Sequence, residues 1–132
     1  MSQENLDAVR SIYEEWEKGN FRAGVDLYDP LVLFIPFPDF PAADHYLGRE
    51  ELREFMRSFL AAWTNLTMAA EDIIEAGDSV VVTTRWRGVG KESGAETEKR
   101  VFDVWTFRGR TVTRVEFFLD RAEALEAAGL SE

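Results

Sequence analysis

The stretch VFDVWTFRGRTVTRVEFFL at residues 101–119 consists of two apolar runs joined by Arg-Gly-Arg at residues 108–110. β-Branched and aromatic residues dominate both runs, and a central glycine is typical of a tight turn, so the stretch predicts a β-hairpin. One residue breaks this pattern, because Asp103 stands between Phe102 and Val104. A buried carboxylate is costly as an anion, so this side chain must be solvated, paired or held protonated.

The residues before this hairpin continue the β pattern. Runs at residues 66–76 and 79–89 alternate with turn-forming segments, so the second half of the chain predicts an antiparallel meander of four strands. A shorter apolar strand is predicted at residues 31–35, where Pro36 stops it. The proline-rich stretch that follows predicts a loop.

Helical periodicity fills most of the first half. Apolar residues at three- and four-residue steps predict an amphipathic helix over residues 2–19, a short helix over residues 20–28 and a regular helix from residue 48 to residue 63. Asp120 is placed to cap a last helix. Helices segregated from an antiparallel sheet indicate an α+β domain, and a curved sheet covered on one side tends to enclose a pocket.

The composition bounds the partners of the chain. Its 132 residues are the usual size of one domain, and 15 basic against 25 acidic residues give a net charge of -10. This charge repels nucleic acids and anionic membranes, so we expect neither as a partner. Because no targeting-type series opens the chain and its apolar runs are far shorter than the roughly 20 residues of a membrane span, we expect a cytoplasmic protein. The chain has no cysteine, and His45 is its one histidine. We therefore expect no disulfide, no multi-histidine metal site and no cofactor.

The order of the elements resembles the SnoaL-like branch of the nuclear transport factor 2-like superfamily, which includes ketosteroid isomerase. The likeness also rests on Gly-Arg-Glu-Glu-Leu at residues 48–52 and FFLDRAEALEAAGL at residues 117–130. It spans nearly the whole chain, so residues 1–132 are expected to form a single SnoaL-like domain. The resemblance implies a cystatin-like fold, in which a cone-shaped, mostly antiparallel sheet carries the helices on its concave face. It also implies a homodimer through the outer face of the sheet.

The sequence DVWTF at residues 103–107, followed closely by Gly-Arg, is similar to the strand of ketosteroid isomerase that carries a protonated aspartate. By this resemblance Asp103 faces the cavity and acts as an acid or hydrogen-bond donor toward a ligand oxygen. The alternative is an ion pair with an arginine of a neighbouring strand, namely Arg85, Arg87 or Arg100. The residues leave both open.

The position of the family's catalytic base is occupied by Ile35, which cannot transfer a proton, so ketosteroid isomerisation is not expected. Asp39 or His45 would have to supply the base from the following loop. His45 has the side chain best suited to proton transfer near neutral pH, but a surface histidine without a function is the alternative. Tyr13 lies one residue out of register with the family's hydroxyl group, so it is either a hydrogen-bonding partner or a core residue.

Six aromatic residues could form the walls of a ligand pocket or simply fill the core: Trp105, Trp86, Trp63, Phe117, Phe37 and Tyr46. Three functions follow from these alternatives. The first is cofactor-free acid/base catalysis of the isomerase, cyclase or hydrolase type on a small apolar, ring-containing substrate. The second is non-catalytic binding of such a molecule, and the third is a structural dimer whose tryptophans fill its own cavity.

Overall fold

The computed structural model describes residues 3–37 and 45–130 of the chain. Within these ranges it contains three α-helices and one sheet of six strands, which confirms the predicted α+β class. The elements are α1 (Gln3–Glu17), β1 (Tyr28–Ile35), β2 (Tyr46–Leu47), α2 (Gly48–Ala61), β3 (Trp63–Ala76), β4 (Ser79–Gly90), β5 (Glu96–Arg108), β6 (Thr111–Phe118) and α3 (Arg121–Ala127). No helix in the described ranges combines the length and the apolar character needed to cross a membrane.

The strands follow the order β2-β1-β6-β5-β4-β3 across the sheet. Strands β3 to β6 form the predicted antiparallel meander. Strand β1 lies beside β6 and pairs with it in parallel, while the short β2 pairs antiparallel with the other edge of β1. The N-terminal strand is therefore held in the sheet mainly by the C-terminal one.

The helix predicted over residues 20–28 is wrong. The chain instead forms turns and a single 3₁₀ turn at Val25–Leu27, and Tyr28 already begins β1. The physical reason lies at Gly24, whose φ of 88° is left-handed. A Cβ atom at this glycine would lie 2.6 Å from Cδ1 of Ile12, so the close approach of this turn to α1 also needs glycine. Strand β2 was not predicted, because its two residues are too few to show a period.

The two faces of the sheet carry different helices. Val101, Trp105 and Phe107 of β5 belong to the larger core, which α1 and α2 cover. Phe102 and Val104, which alternate with them, pack against α3 on the opposite face. The prediction of helices on the concave face therefore applies to α1 and α2. Helix α3 begins as predicted, since Oδ1 of Asp120 accepts a hydrogen bond from the backbone N–H of Ala122 at 2.8 Å.

Candidate functional site

Asp103 is completely buried near the middle of β5, on the face that packs against α1. The hydroxyl of Tyr13 donates a hydrogen bond to Oδ2 of Asp103 at 2.5 Å. The indole Nε1 of Trp105 donates in turn to the Tyr13 oxygen at 2.7 Å. Because an indole N–H can only donate, Trp105 is the donor to Tyr13 in this Trp105–Tyr13–Asp103 chain. Tyr13 is thus a core residue that also holds the carboxyl group.

Burial raises the pKa of the Asp103 carboxyl well above its usual range, against the lowering effect of the Tyr13 hydrogen bond. The Thr84 hydroxyl has one proton and donates it to the Val101 carbonyl oxygen at 2.9 Å, so it is no donor to the carboxyl group. Oδ1 of Asp103 has no hydrogen-bond partner among the described residues. Burial, and then the neighbouring Asp103, also raise the pKa of Tyr13. The arrangement therefore favours a neutral aspartic acid.

The arginines considered as ion-pair partners of this acid lie on the outer face of the sheet. Arg85 contacts Glu71 at 3.2 Å and Glu98 at 3.4 Å. Arg100 contacts Glu71 at 2.8 Å, and Arg87 contacts Glu98 at 3.4 Å. We call these five side chains the outer charge network. Their charges are paired with one another, and no ion pair within the described residues involves the buried carboxyl group.

A cavity of about 680 Å³, which we call the inner cavity, lies between α1, α2 and the concave face of the sheet. Its walls are mostly aromatic or apolar, and three of the six aromatic residues predicted to bind a ligand line it: Trp86, Phe117 and Phe37. Tyr46 and Trp63 line an adjoining open cleft, the outer groove, which shares Phe37 and Trp86 with the inner cavity.

The predicted catalytic residues are not gathered in the inner cavity. Tyr13, Asp103 and Trp105 line neither the inner cavity nor the outer groove, although Trp16 beside them does line the cavity. His45 is exposed and lies at the outer groove. Asp39 lies outside the described residues. The structure therefore brings Tyr13 and Asp103 together, and it separates both from His45.

Four arginines also line the inner cavity: Arg22, Arg49, Arg53 and Arg57. No acidic side chain and no histidine is among the described residues that line it. Nε of Arg49 donates to the Tyr28 carbonyl oxygen at 2.8 Å, which ties this guanidinium to β1. The sequence analysis did not single out the three arginines of α2 as site residues. Their spacing of four residues was the available signal, since it puts them on one stripe of the helix.

Two of the tryptophans that line the cavity have an indole N–H without a partner. The indole Nε1 atoms of Trp16 and Trp86 are buried and have no hydrogen-bond partner among the described residues. Trp16, from α1, was not predicted as a site residue, because its spacing is that of an ordinary core position. The described residues contain no cluster of three or more acidic, histidine or cysteine side chains that could hold a metal ion.

Comparison with known proteins identifies the family of this chain. A family model described as a SnoaL-like domain matches residues 9–115. No curated protein sequence matches the chain.

Many solved structures share the fold, and the three described next are less than a quarter identical to this chain. An NTF2-like protein of unknown function from Burkholderia pseudomallei is 23% identical, with 96% of this chain and 97% of that chain covered and a TM-score of 0.78. TerC, co-crystallised with polyporic acid, is 21% identical, with 95% and 98% covered and a TM-score of 0.74. A hypothetical protein with a ketosteroid isomerase-like fold from Catenulispora acidiphila, in complex with trimethylamine, is 18% identical, with 98% and 95% covered and a TM-score of 0.72.

Proposed function

Because this chain belongs to the SnoaL-like domain family, we propose that it binds a small apolar, ring-containing molecule in the inner cavity. The observation that carries this proposal is the cavity itself. About 680 Å³ of space lies against Phe34, Phe55, Met68 and Phe117. Ligand sites of proteins have volumes in this range, and their walls are mainly apolar and aromatic.

The aromatic rings around the cavity support a flat ligand. Ring centroids lie 4.8 Å apart between Phe34 and Phe117, and 5.4 Å apart between Phe34 and Phe55. Trp86 packs edge-on against Phe59 at 5.7 Å. Such neighbouring rings present both faces and edges to a bound aromatic group, which gains from stacked and edge-to-face contacts.

Acid/base catalysis is a second candidate function, and the Tyr13–Asp103 hydrogen bond supports it. A neutral aspartic acid beside a tyrosine hydroxyl is suited to stabilising an oxyanion. This function requires a substrate oxygen to reach Asp103, and it requires a base, for which His45 and Asp39 are the proposed residues. A cyclic ketone in D₂O tests it, since wild-type protein would accelerate deuterium uptake at the α-carbon and Asp103→Asn would not. Uptake at the protein-free rate contradicts catalysis.

We also propose that the chain forms a homodimer through the outer face of the sheet. The outer charge network supports this, because it places both signs of charge on one surface that can meet its own copy. Static light scattering at micromolar concentration tests the dimer, and a mass of 15.1 kDa, that of one chain, contradicts it. The cytoplasmic location stays a prediction.

Calorimetric titration with fluorene-2-carboxylate, a rigid aromatic probe, tests the binding function. Met56 is half-buried and lines the cavity from α2, so Met56→Trp places a larger side chain in the space that the probe needs. We expect micromolar binding by the wild type and at least about a tenfold loss in this variant.

The matched control is Glu14→Trp, which adds the same side chain at an exposed position of α1 that lines neither the cavity nor the groove. This variant should bind like the wild type. Absence of binding by the folded wild type, or equal binding by both tryptophan variants, contradicts the inner cavity as the site.

A further inference from the structure

We infer that the outer groove is a second part of the ligand site, in which a further aromatic ring of the ligand stacks on Trp63. The inference rests on the proposed binding function and adds a ligand class, namely molecules with two linked ring systems. Three observations carry it. A β-bulge in β3 turns Trp63 toward the groove, a glycine of β4 makes room for its ring, and the groove shares walls with the inner cavity.

The bulge lies near the start of β3, where the pairing of β3 with β4 changes register. The pairing advances from Thr64 to Thr67 on β3 while it moves by one residue fewer on β4, so β3 contains one extra residue. Asn65 lies in this interval and has a left-handed φ of 56°. Among the described residues, it alone has a positive φ without being glycine. Because few side chains tolerate this conformation, and asparagine is one of them, the residue suits the bulge.

The extra residue decides which face of the sheet Trp63 occupies. Trp63 pairs with Gly90 and Met68 pairs with Trp86. Gly90 and Trp86 are an even number of positions apart on β4, so they share a face, and this face belongs to the larger core. Positions 63 and 68 are an odd number apart, so in an unbroken strand their side chains would lie on opposite faces. The bulge therefore turns Trp63 from the outer face of the sheet to the face of the cavity.

Gly88 of β4 makes room for the Trp63 ring on that face. A Cβ atom at this glycine would lie 3.2 Å from Cε3 of Trp63 and 3.1 Å from Cδ1 of Leu66, so the ring lies directly over the glycine. The Trp63 ring also packs against Phe59, with 6.2 Å between the centroids. Trp63 is nevertheless only half-buried and lines the outer groove. The ring is thus held in place while part of its surface is accessible from the groove.

The outer groove and the inner cavity meet at four aromatic side chains. Phe37, Phe55, Phe59 and Trp86 line both spaces. The Phe59 ring lies between the two remaining tryptophan rings of this region, 5.7 Å from Trp86 and 6.2 Å from Trp63 between centroids. A ring placed beside Trp63 gains stacked or edge-on aromatic contacts. A molecule with one ring system in the cavity and a second in the groove therefore makes aromatic contacts along its whole length.

The experiment compares fluorene-2-carboxylate with 7-phenylfluorene-2-carboxylate, which differs only by a further ring at the far end, in calorimetric titrations. We expect the wild type to bind the longer probe about tenfold more tightly, because the added ring gains aromatic contacts and buries apolar surface. Trp63→Ala should bind the two probes within about twofold of each other. The control is Met56→Ala, which trims the inner cavity and not the groove and should keep the preference for the longer probe.

The bulge is tested by two changes at Asn65. Asn65→Gly keeps the extra residue, and glycine adopts a positive φ freely, so this variant should bind both probes like the wild type. Deletion of Asn65 restores regular alternation and turns position 63 to the outer face, so the preference for the longer probe should be lost. A folded deletion variant that keeps the preference overturns the inference.

Fluorine NMR reads the contact directly and does not depend on a deletion that folds. The four tryptophans are replaced by 5-fluorotryptophan, and Trp63→Phe identifies the resonance of Trp63. The longer probe should shift this resonance, and the shorter probe should leave it in place. If the shorter probe binds but the longer one binds no more tightly, or leaves the Trp63 resonance unmoved, the binding function stands and this inference is overturned. If fluorene-2-carboxylate does not bind the folded wild type, the proposed function fails and this inference fails with it.

Discussion

The Trp105–Tyr13–Asp103 chain and the inner cavity lie on the same face of the sheet and are built from similar residues. They differ in whether their tryptophan N–H groups have hydrogen-bond partners within the protein. In the chain, Trp105 donates to Tyr13 and Tyr13 donates to Asp103, with all three side chains shielded from solvent. Trp16 and Trp86 line the cavity, and their buried indole N–H groups have no acceptor among the described residues. The N–H of Trp105 is paired within the protein, whereas the N–H groups of Trp16 and Trp86 are buried and have no partner among the described residues.

This difference separates two reasons for placing a polar group in an apolar core. A group whose hydrogen bonds are made by the protein fixes the packing of the elements that carry it, here α1 and β5. A buried donor without a partner costs free energy instead. Asp103 combines both cases, because Tyr13 pairs its Oδ2 while its Oδ1 is as unpaired among the described residues as the two indole N–H groups.

The largest effect is expected from Tyr13→Phe, which deletes the central member of the chain. It leaves Oδ2 of Asp103 and Nε1 of Trp105 buried without partners, and each such group costs about 1–3 kcal/mol. The free energy of unfolding in urea should fall by about 3 kcal/mol. The control is Tyr28→Phe, because the Tyr28 hydroxyl makes no hydrogen bond with a described residue and its loss should cost less than about 1 kcal/mol. Equal losses of unfolding free energy in the two variants would contradict a structural role of the Trp105–Tyr13–Asp103 hydrogen bonds.

Asp103→Asn is expected to change the pH dependence of stability. Burial raises the pKa of Asp103, so the folded protein keeps a proton that the unfolded chain releases above about pH 4. Wild-type stability therefore falls as pH rises from there to the raised pKa, and the asparagine variant lacks this loss. The stability of the variant relative to the wild type should increase by about 1.4 kcal/mol per pH unit in that range. Urea unfolding at several pH values measures it, and a constant difference contradicts a neutral acid.

The smallest effect is expected from a direct comparison of Trp105, whose N–H is paired, with Trp16, which lines the cavity. Trp105→Phe removes a paired donor, while Trp16→Phe removes one that has no partner among the described residues. Both substitutions lose similar buried area, so Trp105→Phe should be the more destabilising by about 1 kcal/mol. Guanidinium unfolding of both variants provides the measurement. A larger loss of unfolding free energy for Trp16→Phe would show that its N–H is paired within the folded protein. The two tryptophans would then not differ in hydrogen bonding.

Much of the fold could be predicted from local patterns. The meander of β3 to β6 and the regular helix α2 have strong periods, and Asp120 has the position of a helix cap. The helix predicted over residues 20–28 was wrong because apolar spacing alone does not reveal the left-handed φ of Gly24. The parallel pairing of β1 with β6 joins residues far apart in the chain, and no local pattern encodes it.

The candidate site was less accessible to prediction. Asp103 could be singled out because its type conflicts with its neighbours, but its contact with Tyr13 depends on how α1 lies across the sheet. The four-residue spacing of the arginines on α2 is present in the sequence, but it does not reveal that they border a cavity. The unpaired state of Trp16 and Trp86 could not be predicted, since it depends on which acceptors the folded chain brings near them.

The parallel pairing of β1 with β6 has a consequence for the order of folding. Tyr28 pairs with Val112 and Ile35 pairs with Glu116, while the other edge of β1 pairs, among the described residues, only with the two residues of β2. During synthesis, β1 must therefore wait for β6 before it gains a stable neighbour. Contacts between such distant parts of a chain slow folding, because a long loop has to close first. A nascent chain that ends before β6 would expose the apolar side of β1, and it would lack Phe117, which forms part of the wall of the inner cavity.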